Sequence, residues 1–531
     1  MFFVGAPVEA GCVSAECADA EIQENKKARV SAPGVLHPMK KIIPKIYLDY
    51  AAATPVDPRV FRAMKPYFTD AFGNPGSLHS FGQEAIAAVD QSRETIARAI
   101  GAEFREIIFT GSATEANNLA LRGMVAEWQS GRAAGTEHVP QFRSPATLQP
   151  RIIISAIEHE SVLETARDLE KNGAEVVYLP VNRQGIVNLK KLEESLNERT
   201  VLVSVMYANN EIGTIQPIAE IAKVVQKFRD KDKVTGIKEE KNVPLSLSPY
   251  PCPIFHTDAA QAFQFLDCNV QNLGMDMMTL SAHKIYGPKG AGALFMKHGA
   301  GGKGKKNSIS NVPLAMSPLL AGGGQEYGLR SGTENVPAIV GFAKAVELLF
   351  QCSEEHQNEG KKTFQCSEEH WNKEIAGLRD RLWRGIKKIC PQAEINGVDL
   401  SANSESVANE RILKFAKGPL FAEALPNILN VFFPGHAAQD LLTQFDLHGL
   451  AVSSGSACRS RAMESSYVIE ALGLGQGTRD KDNRQTGKDP IIHVPLSMSR
   501  ARSSLRFSLG RPTTKQEIDA ALKIIKKCFE K

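Results

Sequence analysis

The stretch that decides the fold is MDMMTLSAHKIYGPKGAGALFMK, which spans Met275–Lys297. It begins as an apolar strand pattern and continues into a turn rich in Gly and Pro. Similar apolar runs precede it, and amphipathic helical patterns of ten or more residues follow three of them. Strands that alternate with helices of this length predict βαβ units and a mainly parallel sheet.

The alternation runs through the central part of the chain and stops in its C-terminal part. Its strand and helix patterns are REIIFT with ATEANNLALRGMVAEW, PRIIISA with HESVLETARDLEKNG, and TVLVSVMYANN with IAEIAKVVQKF. The C-terminal part combines the helical patterns EIAGLRDRLWRGIKKI and AAQDLLTQFDLHG with the strand patterns PNILNVFF and SSLRFSLG. Its last helix opens with Thr514 and Glu517 at capping-box spacing. We therefore expect a second, smaller α+β domain.

The composition limits the classes of function. A chain of 531 residues exceeds one ordinary domain, and a net charge of +4 gives no reason to expect nucleic acid or an anionic membrane as partner. No apolar run approaches the roughly 20 residues of a membrane span. The nine cysteines include no CxxC pair, which argues against a zinc site and a disulfide framework. We expect a reducing compartment, hence a cytoplasmic protein, or a mitochondrial one if the source is eukaryotic.

Two residues at predicted strand ends can serve a carbonyl cofactor. Lys284 follows an apolar strand, where its amine can point into a cleft and form a Schiff base. Asp258 ends a strand 26 residues earlier (284 − 258), and a carboxylate there can keep the pyridine nitrogen of pyridoxal phosphate protonated. Gln261 can bond the hydroxyl of the same ring. Taken alone, Lys284 also fits a surface lysine on a loop, and Asp258 also fits a helix N-cap.

Three more segments place polar residues at strand ends. Thr114 begins a helix after a turn of small residues, where backbone N–H groups can seat a phosphate. His159 can stack on a planar cofactor and pass protons, and Asn210 can reach a ring substituent. Each also has a purely structural interpretation: a plain βα turn, a structural histidine, or turn chemistry. Because ligands of open α/β sheets gather at the carboxyl ends of the strands, we expect these residues to converge.

One cysteine stands apart from the others by its surroundings. Cys458 lies in AVSSGSACRSR, Ala451–Arg461, among Ser, Gly and Ala, which leave the sulfur accessible. A buried structural cysteine would have bulky apolar neighbours, and a disulfide cysteine would need a partner. A Gly- and Ser-rich loop lets a thiol act inside a site and then leave it.

Nine motifs, in this order, resemble those of the pyridoxal-phosphate-dependent cysteine desulfurases of the NifS/IscS group, fold type I enzymes of aminotransferase class V. The resemblance runs from Ile46 to the C-terminal helix. The motifs are GNPGSLHSFG, SATEANNLA, EHESVLET, NNEIGTIQP, HTDAAQ, SAHKIYGPKG, GLRSGTEN, SSGSAC and LRFSLGR.

The resemblance implies an α/β fold, with a mainly parallel seven-stranded sheet in a large domain and a smaller α+β domain. The implied divisions are a disordered extension over residues 1–45, a large cofactor-binding domain over 62–345, and a small domain formed by 46–61 with 346–531.

The resemblance also implies a role for each matching residue. Lys284 would form the Schiff base with the cofactor, Asp258 would pair with the pyridine nitrogen, and Gln261 with the phenolic oxygen. His159 would stack on the ring, with Asn210 beside it. The residues implied to hold the phosphate are Thr114, Ser281, His283 and, in the neighbouring subunit of a homodimer, Thr333.

The implied reaction converts L-cysteine to L-alanine. Arg506, with Asn210, would bind the substrate carboxylate as a bidentate fork. Lys284 or His159 would move protons, and Cys458 would take the sulfur as a persulfide. The sulfur would pass to an acceptor or scaffold protein, for iron–sulfur cluster assembly or for thiolation of tRNA or cofactors. Neither a membrane nor a nucleic acid is an expected direct partner.

Alternative functions stay open at this point. A selenocysteine lyase would use the same cofactor, and nothing in the residues separates it from a desulfurase. A class V aminotransferase or a kynureninase-like enzyme would not need Cys458, so the SSGSAC motif argues against both. A catalytically weak assembly scaffold would not need the intact Lys284, Asp258 and Cys458.

Overall fold

The apolar runs of the sequence form strands in the computed structural model of the chain. The residues that the structure describes are 45–130, 149–235, 252–298, 316–350, 365–398, 423–455, 465–473 and 500–530. The strands in these ranges are β1 (Ile46–Tyr47), β2 (Ile107–Thr110), β3 (Arg151–Ser155), β4 (Glu175–Leu179), β5 (Thr200–Ser204), β6 (Ile254–Asp258), β7 (Met277–Ser281), β8 (Gly292–Met296), β9 (Glu394–Ile395), β10 (Ile428–Phe432), β11 (Leu450–Ala451) and β12 (Ser504–Ser508).

The α-helices follow the amphipathic patterns. Those in the described ranges are α1 (Pro58–Met64), α2 (Pro66–Thr69), α3 (Ser80–Ala99), α4 (Ala113–Ser130), α5 (Glu160–Lys171), α6 (Leu189–Ser195), α7 (Ile218–Thr235), α8 (Val270–Leu273), α9 (Val336–Phe350), α10 (Gln365–Ile389), α11 (Ala438–Leu447), α12 (Tyr467–Ala471) and α13 (Lys515–Phe529). None of these helices has the length and apolar character to cross a membrane.

The large sheet has seven strands in the order β2-β8-β7-β6-β5-β3-β4. Strands β7, β6, β5, β3 and β4 run parallel to one another. Strand β8 is antiparallel to both of its neighbours, β2 and β7. The mainly parallel seven-stranded sheet of the prediction is therefore confirmed.

Helices cover both faces of this sheet because its strands are apolar on both sides. In β3, Ile152 and Ile154 belong to one hydrophobic core, while Ile153 between them belongs to another. Successive side chains of a strand point to opposite faces, so the two cores lie on either side of the sheet. Each fully buried isoleucine contributes roughly 1.5–3 kcal/mol to folding. Continuous apolar strands of this kind are typical of parallel sheets buried on both faces.

A second sheet lies in the C-terminal part of the chain. Strand β10 pairs antiparallel with β12 and with β9, and α10 packs against α13. Helix α13 begins as predicted, since the Thr514 hydroxyl accepts from the Glu517 N–H and the Glu517 carboxylate accepts from the Thr514 N–H. This part therefore has the expected mixture of helices and antiparallel strands.

The segment at the start of the described chain joins this C-terminal part. Ile46 of β1 pairs with Leu450 of β11, and Asp49 bridges to Ser508 at the end of β12. The start of this segment thus contacts the C-terminal part, and the assignment of residues 46–61 to the smaller domain stays a prediction. The boundaries at residues 61 and 345 stay a prediction, and residues 1–44 of the expected extension lie outside the described ranges.

A buried ion pair holds the edge of the large sheet. The Arg93 guanidinium of α3 donates to both carboxylate oxygens of Glu326, at 2.7 Å each. The same carboxylate accepts the Phe109 N–H of β2 at 2.9 Å. Both charged side chains are almost fully buried, and Glu326 and Tyr327 have positive φ angles of 46° and 59°. The pair therefore holds a strained backbone against an edge strand.

We expect Arg93→Ala to destabilise the protein by about 3–5 kcal/mol, because it leaves the Glu326 carboxylate buried without its cation. The matched control is Arg98→Ala on the same helix, which removes an exposed pair with Glu94 and should cost about 0.5 kcal/mol or less. Denaturant unfolding of both variants measures the difference. Equal losses of stability would contradict the importance of the buried pair.

Candidate active site

The register of the large sheet brings several predicted site residues to one edge. Thr110 at the end of β2 and Ser281 at the end of β7 both pair with Gly292 of β8. Asp258, the last residue of β6, pairs with Thr279 of β7. Because these are the carboxyl ends of strands that run the same way, the loops that follow them begin side by side.

Lys284 and Gln261 meet at a single backbone carbonyl. The Lys284 ammonium donates to Ala51 O at 2.6 Å and to Ala52 O at 2.9 Å. The Gln261 side-chain amide donates to the same Ala51 O at 2.9 Å. Lys284 ends a one-turn 3₁₀ helix that follows β7 directly. The structure thus brings the predicted lysine and glutamine together through the segment that follows β1.

The Asp258 carboxylate is buried and is held on both oxygens. Its Oδ2 accepts from the Asn117 amide at 2.7 Å, and its Oδ1 accepts from the Ala260 N–H at 2.9 Å. The Asn117 amide also donates to Ser161 Oγ at 2.7 Å, and that hydroxyl lies 2.9 Å from His159 Nδ1. A hydrogen-bonded chain therefore links Asp258 to His159 across β6, α4 and α5.

The His159 ring is neutral near pH 7. It caps α5, where its Nδ1 accepts the Ser161 N–H at 3.1 Å. Burial lowers the pKa of His159, and the charge of Lys284 lowers it further, while Asp258 acts in the opposite direction. Because Nδ1 is an acceptor, Nε2 carries the hydrogen of the neutral ring.

The last residue of β7, a histidine that follows this strand, and the turn before α4 form a polar corner. Ser281 Oγ lies 3.0 Å from His283 Nδ1. Burial, followed by the charge of Lys284, lowers the pKa of His283 to about 4, so this imidazole is neutral at physiological pH. Thr114 is exposed on the first turn of α4. A Cβ added to Gly292 would lie 2.6 Å from the backbone of the turn before α4, so β8 starts directly against that turn.

The Arg506 side chain contacts the backbone carbonyl of Asn210 rather than the Asn210 side chain. The Arg506 side chain, 1% exposed, donates from Nη1 to Asn210 O at 2.8 Å. Its Nη2 donates to Asp49 Oδ1 at 2.6 Å, in an ion pair. Its Nε is buried and has no hydrogen-bond partner in the described part of the chain. The guanidinium is therefore oriented by two acceptors and retains unused N–H groups.

The two remaining predicted residues are Thr333 and Cys458. Thr333 is exposed, and no hydrogen bond or ion pair within the described residues joins it to the other site residues. Cys458 lies outside the described residues. The chain leading to it is held at Ser453, whose N–H and carbonyl both bond the backbone of Arg506, at 3.1 and 2.7 Å.

Four residues of the site were not predicted from the sequence: Asn117, Ser161, Asp49 and Glu158. Asn117 and Ser161 lie within quoted motifs, three and two positions after Thr114 and His159, and that helical or turn spacing was the available signal. Asp49 follows the apolar start IYL, and Glu158 directly precedes His159. Neither of these two residues carries a local signal for its role, because Arg506, which pairs with Asp49, and Met206, which bonds Glu158, are distant in the chain.

Glu158 is a fully buried carboxyl group next to His159. Its Oε1 accepts from Ser155 Oγ at 2.5 Å and from the Met206 N–H at 2.8 Å. Its Oε2 is buried with no hydrogen-bond partner in the described part of the chain. Burial, reinforced by the nearby Asp258 carboxylate, raises the pKa of Glu158 to about 8. The group is therefore protonated at neutral pH.

We expect Glu158 to make stability pH-dependent. Its pKa of about 8 in the folded chain lies above the ordinary 4.5, so the stability that its bound proton contributes is present below pH 4.5 and is lost as the pH rises to about 8. Glu158→Gln removes this titration, so the stability of the variant relative to wild type should rise across that range, by up to about 1.4 kcal/mol per pH unit.

Denaturant unfolding at pH 5, 6, 7 and 8 measures this difference. The control is Glu164→Gln, an exposed carboxylate on α5, whose difference from wild type should stay flat. A flat difference for Glu158→Gln as well would contradict the raised pKa.

Comparison with known proteins identifies the family to which this chain is similar. The model of the family described as aminotransferase class-V matches residues 46–232 and 252–376. A protein named cysteine desulfurase IscS from Dictyoglomus turgidum is 34% identical over 488 residues, which cover 92% of this chain and 95% of that protein.

A eukaryotic relative and a solved structure show the same likeness. A protein named cysteine desulfurase, mitosomal, from Trachipleistophora hominis is 38% identical over 480 residues, which cover 90% of this chain and 85% of the relative. A solved structure titled NifS-like protein superposes with a TM-score of 0.64 at 30% identity, and it covers 92% of this chain and 99% of its own. The chain therefore belongs to the class-V aminotransferase family, in its NifS/IscS group of cysteine desulfurases.

Proposed function

We propose that this chain is a pyridoxal-phosphate-dependent cysteine desulfurase, which converts L-cysteine to L-alanine and leaves the sulfur as a persulfide on Cys458. The observation that carries the proposal is that the side chains of Lys284 and Gln261 both donate to one backbone carbonyl. Gln261 follows the buried carboxylate of Asp258 by three positions. The names of the relatives support the same reaction.

The residues present fit the cofactor. Asp258 is a buried carboxylate that is hydrogen-bonded but forms no ion pair within the described residues. A buried charge without a counter-charge is costly. A protonated pyridine nitrogen would supply the missing positive charge. The Asn117 Oδ1 beside it is also buried and has no partner in the described structure. When bound, the cofactor supplies an electron sink for bonds broken at the substrate carbon atoms.

The cofactor contacts follow from the same arrangement. Lys284 would bond the carbonyl of the cofactor, Gln261 its phenolic oxygen, and His159 the face of its ring, with Asn210 nearby. Helix α4 begins at this edge, and helix starts favour phosphate because their N–H groups and dipole attract anions. The side chains proposed to hold the phosphate are Thr114, Ser281, His283 and, from a second copy of the chain, Thr333.

Arg506 would bind the substrate carboxylate through the N–H groups that it does not use for Asp49 and Asn210. Its orientation is already set by these two acceptors, so less side-chain freedom is lost on binding. Lys284 would remove the proton from the substrate α-carbon, and the neutral His159 would donate a hydrogen bond from Nε2.

The sulfur transfer would take place at Cys458. Its thiolate would form an S–S bond with the substrate sulfur as the Cβ–S bond of the substrate breaks. The electron pair of that bond goes to the substrate Cβ, which takes up a proton, and the α-carbon regains the proton removed by Lys284, which gives L-alanine. The persulfide would then pass its sulfur to an acceptor or scaffold protein, for iron–sulfur clusters or for tRNA or cofactor thiolation. A cytoplasmic or mitochondrial location stays a prediction.

We expect Cys458→Ser to bind the cofactor as wild type does, but to form neither L-alanine nor protein-bound persulfide from L-cysteine. The reason is that the variant has no thiolate to take the sulfur. Alanine and persulfide are quantified together in single-turnover mixtures. The matched control is Cys252→Ser, a half-buried cysteine without a bond to another cysteine, which should keep both products.

Alanine formation by Cys458→Ser at the wild-type rate would contradict this role for Cys458. A wild-type protein that releases selenide from L-selenocysteine, but leaves L-cysteine unchanged, would favour the selenocysteine lyase.

We also propose that the enzyme is a homodimer. Of the twelve exposed large hydrophobic side chains in the described ranges, five lie between residues 61 and 81. They are Phe61, Phe68, Phe72, Leu78 and Phe81, and the rings of Phe72 and Phe81 lie 5.7 Å apart. Apolar patches of this kind mark interaction surfaces, and the exposed Thr333 is available to a second copy.

We expect Phe72→Asp to convert the dimer to monomer and to weaken cofactor binding at least about tenfold, because it places a charge in an apolar interface. Sedimentation and cofactor titration measure the two effects. The control is Leu447→Asp, which changes an equally exposed apolar residue on α11 and should keep both properties. An unchanged dimer in Phe72→Asp would contradict this surface.

A further inference from the structure

The turn after β5 contains a buried carboxylate with no role in the mechanism above. Asn209 sets the shape of this turn, since its Oδ1 accepts the N–H groups of Glu211 at 2.9 Å and Ile212 at 3.0 Å. The Glu211 carbonyl accepts the Asn430 amide of β10 at 3.0 Å. The Glu211 side chain is only 1% exposed. Both the backbone and the carboxylate of Glu211 therefore have a fixed position.

The Glu211 carboxylate contacts two parts of the chain that are separated in sequence. Ser466 Oγ donates to Glu211 Oε2 at 2.6 Å. A Cβ added to Gly455 would lie 2.9 Å from the same oxygen, so the Gly455 backbone lies directly against it. Gly455 has a φ of 142°, a conformation that other residues rarely adopt. Glycine is required at 455 both by this φ and by the nearness of the carboxylate.

These two contacts lie on either side of Cys458. Gly455 precedes the cysteine by three positions and Ser466 follows it by eight (458 − 455 and 466 − 458). Described residues on both sides of Cys458 therefore approach the same oxygen atom.

Neighbouring contacts hold each end in place. On the first side, Ser453 pairs with the backbone of Arg506, and its hydroxyl donates to Gly455 O at 3.0 Å. On the second side, the Tyr467 hydroxyl donates to Glu158 O at 2.5 Å. Side chains of α12 complete a small hydrophobic cluster with residues that follow β3 and β5: Ile157, Met206, Ile212, Val468, Ile469 and Leu472. Within the described residues, the Glu211 carboxylate lies against both sides.

We propose that Glu211 is a positioning residue for sulfur transfer. Its carboxylate accepts the Ser466 hydroxyl on one side of Cys458 and lies close to the Gly455 backbone on the other. The residue before it, Asn210, orients Arg506 through its carbonyl. The distance between the Cys458 thiol and a substrate held by Arg506 then depends on Glu211. This inference rests on the proposed desulfurase function.

The test compares Glu211→Ala and Glu211→Gln with wild-type holoenzyme and L-cysteine. Three quantities are measured: kcat and KM for alanine, the persulfide on Cys458, and the change in cofactor absorbance on mixing with L-cysteine. We expect Glu211→Ala to lower kcat and the persulfide rate about tenfold or more, because small displacements of a reacting group are costly. KM and the absorbance change should stay within about twofold of wild type.

The conservative variant and a nearby control separate positioning from folding. Glu211→Gln keeps an amide oxygen that can accept from Ser466, so it should retain kcat within about threefold of wild type. The control is Glu470→Gln, an exposed carboxylate of α12 that bonds Ser465 within its own segment, and it should be unchanged.

Two results would overturn the proposal. One is a wild-type kcat in Glu211→Ala, and the other is a loss of kcat together with the absorbance change, which would show that Glu211 only maintains the fold. A wild-type enzyme that forms no persulfide on Cys458 would refute the proposed function itself, and the inference with it. Persulfide formed by wild type but not by Cys458→Ser leaves the function standing, whatever the Glu211 variants do.

Discussion

The candidate site depends on the register of β6, β7 and β8. Asp258 pairs with Thr279, and Ser281 pairs with Gly292, so β6 and β7 end, and β8 begins, at the same edge. Because side chains alternate between faces, a slip of one residue would turn Asp258 to the opposite face of the sheet. The apolar residues on both faces oppose such a slip, since each core would lose its own set of side chains. The hydrophobic pattern that forms the sheet therefore also sets the positions of the polar site residues at its edge.

The segment over residues 46–54 connects this edge to the C-terminal part. Its backbone accepts from Lys284 and Gln261 at Ala51, and Asp49 pairs with Arg506. These contacts join cofactor-side residues to the arginine proposed for the substrate. The segment has little regular structure, and its position is set by these long-range hydrogen bonds together with the burial of Ile46, Leu48 and Ala51 in the main hydrophobic core.

Buried charged groups are treated in two ways. Arg93 with Glu326 and Arg506 with Asp49 are paired and hydrogen-bonded, which offsets the cost of removing them from water. Glu158 has no cation among its described partners, and burial raises its pKa so that it stays neutral. The ion pairs leave Arg93 and Arg506 charged, for structure and for binding. The neutral Glu158 avoids a further negative charge close to Asp258.

The sequence by itself determined the strands, the alternating helices, the capping box of α13 and the strand-end positions of Lys284 and Asp258. Periodicity and local turn chemistry act over a few residues, so they can be read directly from the chain. Only the tertiary structure decided that Asn117 bonds Asp258, that Asp49 pairs with Arg506, and that Gly455 and Ser466 meet at one carboxylate. Those partners are separated by 141, 457 and 11 positions, and no local pattern specifies which distant side chain will satisfy a buried polar group.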